Sequence, residues 1–175
     1  MLHLIPAPAH RTVLRIAHGL RLRWWRMRKP RLAGCRVLAL DREDRVLLVR
    51  HSYGSGKWMP PGGGLSRGED ALAAAHRELL EETGCTLHWS ARIDLVEETL
   101  HGAGNAVHVV AGLTHDTPRP DGREILEASF FELHALPEHM PALFRAQLPM
   151  WIRAATAARP RDPAAALSPP PAPTG

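Results

Sequence analysis

The pattern of apolar and polar residues begins with a long amphipathic segment. Between residues 11 and 29, apolar side chains recur at helical spacing and arginines fill most of the other positions, which predicts a basic helix with one apolar stripe. The stripe consists of Val13, Ile16, Ala17, Leu20, Trp24 and Met27. Pro30 cannot continue a helix, so the segment is predicted to end there.

The middle of the chain alternates between short β-branched runs and polar, turn-forming residues. Such runs are typical of strands in a sheet. The predicted strands are residues 35–40, 45–51, 91–100, 106–113 and 128–133. The polar sequence DRED predicts a short turn between the first two strands, and the Gly- and Asn-containing segment 101–105 predicts a hairpin turn.

Two helices are predicted within this strand-rich part. The first follows a Gly- and Pro-rich loop at 53–64 and covers about 68–83. Gly84 is predicted to end it, because glycine readily adopts the left-handed conformation that closes many helices. The second helix is predicted at about 140–158.

Length and composition indicate one globular domain. The chain has 175 residues, of which 45% are hydrophobic, and this suffices for one core with tails. No apolar run is long enough to span a bilayer, and the first residues lack the charged start of a secretory signal. Cys35 and Cys85 lie in apolar runs, so we expect reduced, buried thiols in a cytoplasmic protein.

The positive charge is concentrated at the start of the chain. No Asp or Glu precedes Asp41, whereas nine Lys and Arg residues do, and removing them from the net charge of +4 leaves about −5 for residues 41–175. We therefore divide the chain into a basic helical arm at 1–31, a domain at 32–158 and a Pro/Ala-rich tail at 159–175. The tail is expected to be disordered.

Three roles are open for the basic arm. Its apolar stripe packs on the domain, its helix lies on an anionic membrane surface with Trp24 and Trp25, or it contacts nucleic acid or another acidic partner. We expect packing, or weak contact of residues 11–31 with a membrane surface, rather than binding of nucleic acid.

Three glutamates carry the candidate chemistry. Glu78, Glu81 and Glu82 stand at i, i+3 and i+4 of the predicted helix, so their carboxylates share one face. Like charges in this arrangement repel each other unless water solvates them or a cation binds them. Clustered carboxylates suit hard cations such as Mg²⁺ or Mn²⁺, and a solvated helix face is the alternative.

Small residues surround the triplet. Ala71 and Ala74 precede the glutamates on the same predicted face, and their size predicts space for a metal and an anionic substrate. Gly62, Gly63 and Gly64 permit backbone turns that are closed to other residues, and they can bring N–H groups close to phosphate oxygens. Gly62 and Gly64 are therefore candidate substrate contacts.

The spacing of residues 63–85 resembles the Nudix box, G-x5-E-x7-R-E-U-x-E-E-x-G-U, in which U is hydrophobic. The sequence has Gly63, Glu69 and then RELLEETGC at 77–85, and Cys85 departs mildly from the pattern. The preceding WMPPGG at 58–63 is similar to the W-x-x-P-G-G lead-in of that family. A match of this length is far more specific than a single short glycine motif.

The resemblance implies an α/β/α sandwich around a mixed β-sheet, in which the box forms a loop, a helix and a loop. It also implies a hydrolase that uses Mg²⁺ or Mn²⁺ to cleave a nucleoside diphosphate linked to another moiety. The implied metal ligands are Glu78, Glu81, Glu82 and the backbone carbonyl of Gly63. Arg77 and Glu69 are implied to pair and to orient the glutamates.

The residue that deprotonates the attacking water is not fixed by the resemblance. Family members use a box glutamate or an acid in a later loop, so Glu78 and Glu124 are both candidates, with Glu127 as an alternative to Glu124. The pattern FFEL at 130–133 supports the later loop. Ordinary surface charge is the other interpretation of these two later glutamates.

The remaining candidate substrate contacts precede the glycine loop. Arg50 and His51 are predicted to meet a phosphate. Tyr53 and Trp58 are predicted to stack on a base, although packing in the core is the stronger expectation for Trp58.

Two classes of function follow from these residues. One is a metal-dependent diphosphate hydrolase, and the other is a catalytically silent Nudix-type domain that senses a nucleotide, attached to a surface through the basic arm. The complete set of box residues favours the enzyme. The sequence does not single out one nucleoside diphosphate derivative, and it is compatible with a monomer or a homodimer.

Overall fold

The computed structural model describes residues 32–100, 103–120 and 122–160 of the chain. The predicted helix at 11–29 and residues 161–175 of the predicted tail lie outside the described residues, so the roles of the basic arm stay predictions. No described helix is both long enough and apolar enough to cross a bilayer.

Six strands, two α-helices and one short 3-10 helix make up the described residues. In chain order they are β1 (Leu32–Leu40), β2 (Val46–His51), β3 (Trp58–Met59), α1 (Ala71–Thr83), β4 (Trp89–Leu100), β5 (Ala103–Leu113), β6 (Ile125–Phe131), the 3-10 helix (Leu133–Ala135) and α2 (Ala142–Ala158). The five predicted strands and the two predicted domain helices are each present within a few residues of their predicted bounds. The loop predicted at 53–64 contains the two-residue β3, which is too short for hydrophobic periodicity to reveal.

The strands form one mixed sheet in the order β3-β2-β1-β5-β4, with β6 on the other edge of β2. β1 runs parallel to β5 along its whole length, and the remaining pairs of strands are antiparallel. β1 meets β2 at one residue pair, Leu40 and Val46. The two strands then diverge, which leaves the first part of β1 with a free edge toward β2.

The loop at 61–65 fills this edge of β1. The N–H of Cys35 donates to the carbonyl of Gly63 (2.9 Å), and the N–H of Val37 donates to the carbonyl of Pro61 (2.7 Å). A β-carbon at Gly62 would overlap the carbonyl oxygen of Cys35, and the φ angle of Gly62 is 149°. Because only glycine tolerates both conditions, the sequence PGGG places its backbone against the sheet.

Each face of the sheet packs against one helix. Alternate residues of a strand point to opposite faces, so Leu38 and Leu48 pack with Trp151 of α2, whereas Val37 and Leu47 pack with Leu79 of α1. The result is the α/β/α sandwich that the resemblance implies. Cys35 and Cys85 are buried, free thiols on the α1 side, as expected.

Helix α1 has a defined cap at each end. The carboxylate of Asp70 accepts from the N–H groups of Leu72 and Ala73 (2.8 and 3.3 Å), which begins the helix two to three residues later than predicted. Gly84 adopts a left-handed φ of 69° and donates to the carbonyl of Leu80, so the predicted end of the helix is confirmed.

Ala74 of α1 lies in the core. It is fully buried and belongs to the core cluster on the α1 side, whereas Ala71 is 7% exposed and lies outside that cluster. Ala74 therefore packs in the core where space for a metal and a substrate was expected, and for Ala71 the expectation stays a prediction. The small side chain of Ala74 brings the helix close to the sheet, because a helix approaches its neighbour most closely where its side chains are short.

Candidate functional site

The three glutamates of α1 lie in different environments. Glu82 is buried, Glu78 is half-buried, and the side chain of Glu81 is 60% exposed. The carboxylate of Glu82 accepts from the N–H of Gly62 (3.0 Å), and its other oxygen lies 3.7 Å from Nε2 of His51. A spacing of i, i+3 and i+4 therefore gives one buried, one intermediate and one solvated carboxyl group.

Burial of Glu82 and Glu78 raises the pKa of both groups. Burial is the largest cause for Glu82, and it raises the pKa to about 8, against a smaller opposing effect of the Gly62 N–H. Burial also raises the pKa of Glu78, while Arg77 opposes the increase. Repulsion from Glu81 and Glu124 adds to both shifts. Carboxyl groups that are buried together without enough positive charge fit a bound divalent cation, because a cation offsets both burial and repulsion.

Arg77 and Glu69 form the ion pair that the resemblance implies. The guanidinium of Arg77 donates to both carboxylate oxygens of Glu69 (2.9 and 3.0 Å), and it also donates to Glu78 (2.8 Å). The N–H of Ser66 donates to Glu69 (2.7 Å). Arg77 and then Ser66 lower the pKa of Glu69 to about 2. The carboxylates of Glu69 and Glu78 in turn raise the pKa of Arg77. Arg77 thus links Glu69, in the loop before α1, to Glu78.

The glycine loop touches two of the three glutamates. A β-carbon at Gly63 would overlap the carboxyl group of Glu78, so a larger residue here would force this carboxyl group to move away from the loop. The carbonyl of Gly63 accepts from Cys35, and the carbonyl of Gly64 accepts from Arg77 (3.2 Å). Gly62 was predicted to contact the substrate, but its N–H donates to the carboxylate of Glu82.

Glu124 joins the cluster from another part of the chain. The hydroxyl of Tyr53 donates to its carboxylate (2.6 Å), and the N–H of Ser52 donates to its carbonyl (2.8 Å). The charge of Glu124 raises the pKa of Glu78 and of Glu82. Sequence reasoning missed the contact with Tyr53, because it depends on the pairing of β2 with β6.

Glu127 and Arg50 face each other across β2 and β6. Their side chains form an ion pair and are 49% and 34% exposed. A phosphate at Arg50 would therefore compete with the carboxylate of Glu127. Glu127 forms this ion pair, whereas the charge of Glu124 raises the pKa of Glu78 and Glu82, so Glu124 is favoured over Glu127 as a candidate base.

Trp58 is part of the core packing. Its ring meets the ring of Phe131 at 5.0 Å in an edge-to-face arrangement, and it packs against the core on the α2 side. The backbone N–H of Trp58 donates to the carbonyl of His139 (2.9 Å). These contacts favour the packing role over stacking on a base.

The carboxylates of the described residues do not point at one common metal position. Glu82 is directed at Gly62 and Glu78 at Arg77, and among the described residues no three His, Cys, Asp or Glu side chains surround one common point. Joint ligation requires new side-chain rotamers of Glu78 and Glu81. The assignment of Glu78, Glu81, Glu82 and Gly63 as metal ligands stays a prediction.

A cavity of about 460 Å³ opens beside the carboxylates. Residues 50–56 and Leu126 line it. Two of the lining residues reach the cluster, since His51 lies near Glu82 and Tyr53 binds Glu124. The cavity and the carboxylates are therefore neighbours.

Comparisons with known proteins are consistent with this fold and site. The family model described as the NUDIX domain matches residues 30–152. Diphosphoinositol polyphosphate phosphohydrolase 3-beta from Bos taurus is 44% identical over 52 residues, which are 30% of this chain and 32% of that protein. The aligned part thus spans about a third of the length of this curated relative.

Solved structures share the fold. The MutT protein from Methanosarcina mazei Go1 superposes with a TM-score of 0.63 at 24% identity, covering 75% of this chain and 99% of that one. The NUDIX domain of Shewanella oneidensis NrtR, complexed with ADP ribose, gives a TM-score of 0.61 at 19% identity, covering 74% and 88%.

Proposed function

The chain belongs to the family of the NUDIX domain, and on this basis we propose that it is a metal-dependent hydrolase that cleaves the diphosphate bond of a nucleoside diphosphate linked to another moiety. The observation that carries the proposal is the buried carboxyl group of Glu82, whose pKa of about 8 reflects burial and the neighbouring acids Glu78 and Glu124. Such a group gains strongly from a divalent cation.

The residues of α1 and the glycine loop would hold this cation. Glu78, Glu81, Glu82 and the carbonyl of Gly63 are the proposed ligands for Mg²⁺ or Mn²⁺. When bound, such an ion neutralises charge on phosphoryl oxygens and lowers the pKa of a bound water. Arg77, which Glu69 binds through both carboxylate oxygens, would orient Glu78 after its change of rotamer.

We assign Glu124 as the general base, with Glu78 as the second candidate. Tyr53 holds the carboxylate of Glu124 through a hydrogen bond of 2.6 Å, whereas Arg77 occupies Glu78. A base at this position removes a proton from the attacking water, which contributes on the order of 10²–10⁴ in rate. A Glu124→Gln protein that keeps full turnover would return this role to Glu78.

The similar proteins support a phosphate-rich substrate class. One relative is a diphosphoinositol polyphosphate phosphohydrolase, and one structural neighbour binds ADP ribose. Both compounds contain a diphosphate. The free, buried thiols of the chain are compatible with the reducing cytoplasm, which remains the expected location.

The test is a parallel screen of diphosphate compounds with Mg²⁺ and Mn²⁺, measuring phosphate-containing products. We expect hydrolysis that EDTA abolishes and that Glu78→Gln reduces to background. Glu97→Gln on the exposed side of β4 is the matched control and should behave as the natural chain. Tight binding of one nucleotide without turnover by the natural chain would contradict the hydrolase and support the sensor.

A further inference from the structure

The cavity at the end of β2 has a lining that indicates what it binds. We propose that it binds a phosphate group of the substrate in addition to the diphosphate that is cleaved, and that Arg50 exchanges Glu127 for this phosphate. The inference rests on the proposed function, because it concerns the substrate of the same site. The volume of the cavity, about 460 Å³, lies within the usual range of ligand pockets.

The position of the cavity supports occupation by the same substrate. His51 lines the cavity and lies 3.7 Å from Glu82, and Tyr53 lines it and binds Glu124. The cavity and the carboxylate cluster therefore share two walls. A diphosphate held at the cluster has its next group within the cavity.

The lining combines apolar surface with polar groups that can bind a charged group of a substrate. Arg50 contributes a guanidinium, His51 an imidazole, and Ser52 and Ser55 hydroxyl groups, and Leu126 is the aliphatic side chain of the lining. The ring of Tyr53 lies 5.2 Å from the ring of His51 at an angle of 50°, and its hydroxyl binds Glu124. Tyr53 is thus committed to neighbours that restrict stacking on a base.

Arg50 can change partners at low cost. It faces Glu127 at paired positions of β2 and β6, and both side chains are about one third to one half exposed. Exposed ion pairs contribute little stability, whereas a guanidinium binds phosphate through two charge-assisted hydrogen bonds. A phosphate in the cavity therefore displaces Glu127 from Arg50.

The experiment uses diadenosine compounds that have two, three, four or five phosphates and measures KM and kcat for each. With the natural chain, KM should fall as phosphates are added. Arg50→Gln should raise KM for the longer compounds by roughly tenfold, the loss of one contact to a charged group, and should raise the KM of the diphosphate compound by a smaller factor. Glu127→Gln should lower KM for the longer compounds.

The two variants control for each other because both break the same ion pair. A purely structural role of the pair predicts equal effects, and equal effects would overturn the proposal. So would an Arg50→Gln protein whose KM still falls with phosphate number, or a Glu127→Gln protein that loses turnover. Arg153→Gln, on an exposed position of α2, removes one positive charge elsewhere and should leave the series unchanged.

Calorimetry without divalent metal separates this inference from the proposed function. The probes are inorganic triphosphate and pyrophosphate. If the natural chain hydrolyses none of the diadenosine compounds but Arg50→Gln weakens triphosphate binding selectively, the hydrolase fails and the cavity assignment stands. If both proteins bind triphosphate equally, the cavity assignment fails whether or not hydrolysis occurs.

Discussion

Glu69 and Glu82 belong to the same motif and carry the same side chain, but their carboxyl groups lie in opposite environments. Arg77 and the N–H of Ser66 bind Glu69 before α1 and lower its pKa to about 2. Glu82 faces the sheet, and burial raises its pKa to about 8. Environment therefore separates a permanently ionised orienting residue from a carboxyl group that gains most from a cation.

The largest expected effect comes from removing the carboxyl group of Glu82, the buried one of the two glutamates. Glu82→Gln should lower kcat by about 10²–10³-fold, the cost of losing one group that stabilises transition-state charge. Initial rates at saturating Mg²⁺ measure it, with Glu97→Gln as the control for an exposed glutamate. A Glu82→Gln enzyme within threefold of the natural chain would place the essential charge elsewhere.

The second effect concerns the pH dependence of stability without metal. The folded state keeps a proton on Glu82 up to about pH 8, whereas the unfolded state releases it near 4.5, so this contribution is present below 4.5 and is lost as pH rises through 8. The free energy of unfolding should fall by at most about 1.4 kcal/mol per pH unit in between.

Urea denaturation in EDTA between pH 5 and 9 measures this slope. Glu82→Gln should flatten it, because glutamine does not titrate, while Glu97→Gln should keep it. Saturating Mg²⁺ should flatten the slope of the natural chain as well, since an ionised Glu82 is then paired. An unchanged slope in Glu82→Gln would mean that another group titrates.

The third effect concerns Glu69, which is ionised and paired with Arg77. Glu69→Gln should lower activity by roughly 10–100-fold, as is usual for residues that orient metal ligands. Glu69→Asp should recover part of this loss, because it restores the charge beside Arg77. The kinetic measurement is kcat against Mg²⁺ concentration, and a loss in Glu69→Gln equal to that in Glu82→Gln would erase the distinction between the two residues.

The smallest effect is expected at acidic pH. The pKa of Glu69 is lowered, so its stabilising contribution is present above 4.5 and is lost as pH falls through about 2. Acid unfolding followed by circular dichroism should therefore begin at a higher pH in Glu69→Gln than in Glu97→Gln. Identical acid transitions would show that the Arg77 pair adds nothing to stability.

Much of α1 and its motif was predictable from the sequence, because spacing decides which residues share a helical face and Gly84 marks the end. Spacing does not decide which part of that face is buried. Glu82 is buried and Glu81 is exposed, although they are neighbours in sequence, and Ala74 packs on the sheet where open space was expected. Those outcomes depend on the angle at which α1 crosses the sheet.

The rest of the site depends on strand register. Tyr53 meets Glu124, and Arg50 meets Glu127, because β2 pairs with β6 at fixed positions. The local sequence does not single out that register, because β2 begins with a run of consecutive buried apolar residues, and a shifted pairing would still bury them. The two-residue β3 was missed for the related reason that its pairing with β2, rather than its composition, defines it.

The attachment of the glycine loop to β1 has a consequence for the order of folding. β1 is itself positioned by its parallel pairing with β5, in which Cys35 lies beside His108, and contacts so distant in sequence form slowly. We therefore expect the loop that binds Glu82 to assemble late, after the folding transition state. Interactions formed that late slow unfolding without speeding folding, so a bound cation should lengthen the lifetime of the native protein and leave its folding rate unchanged.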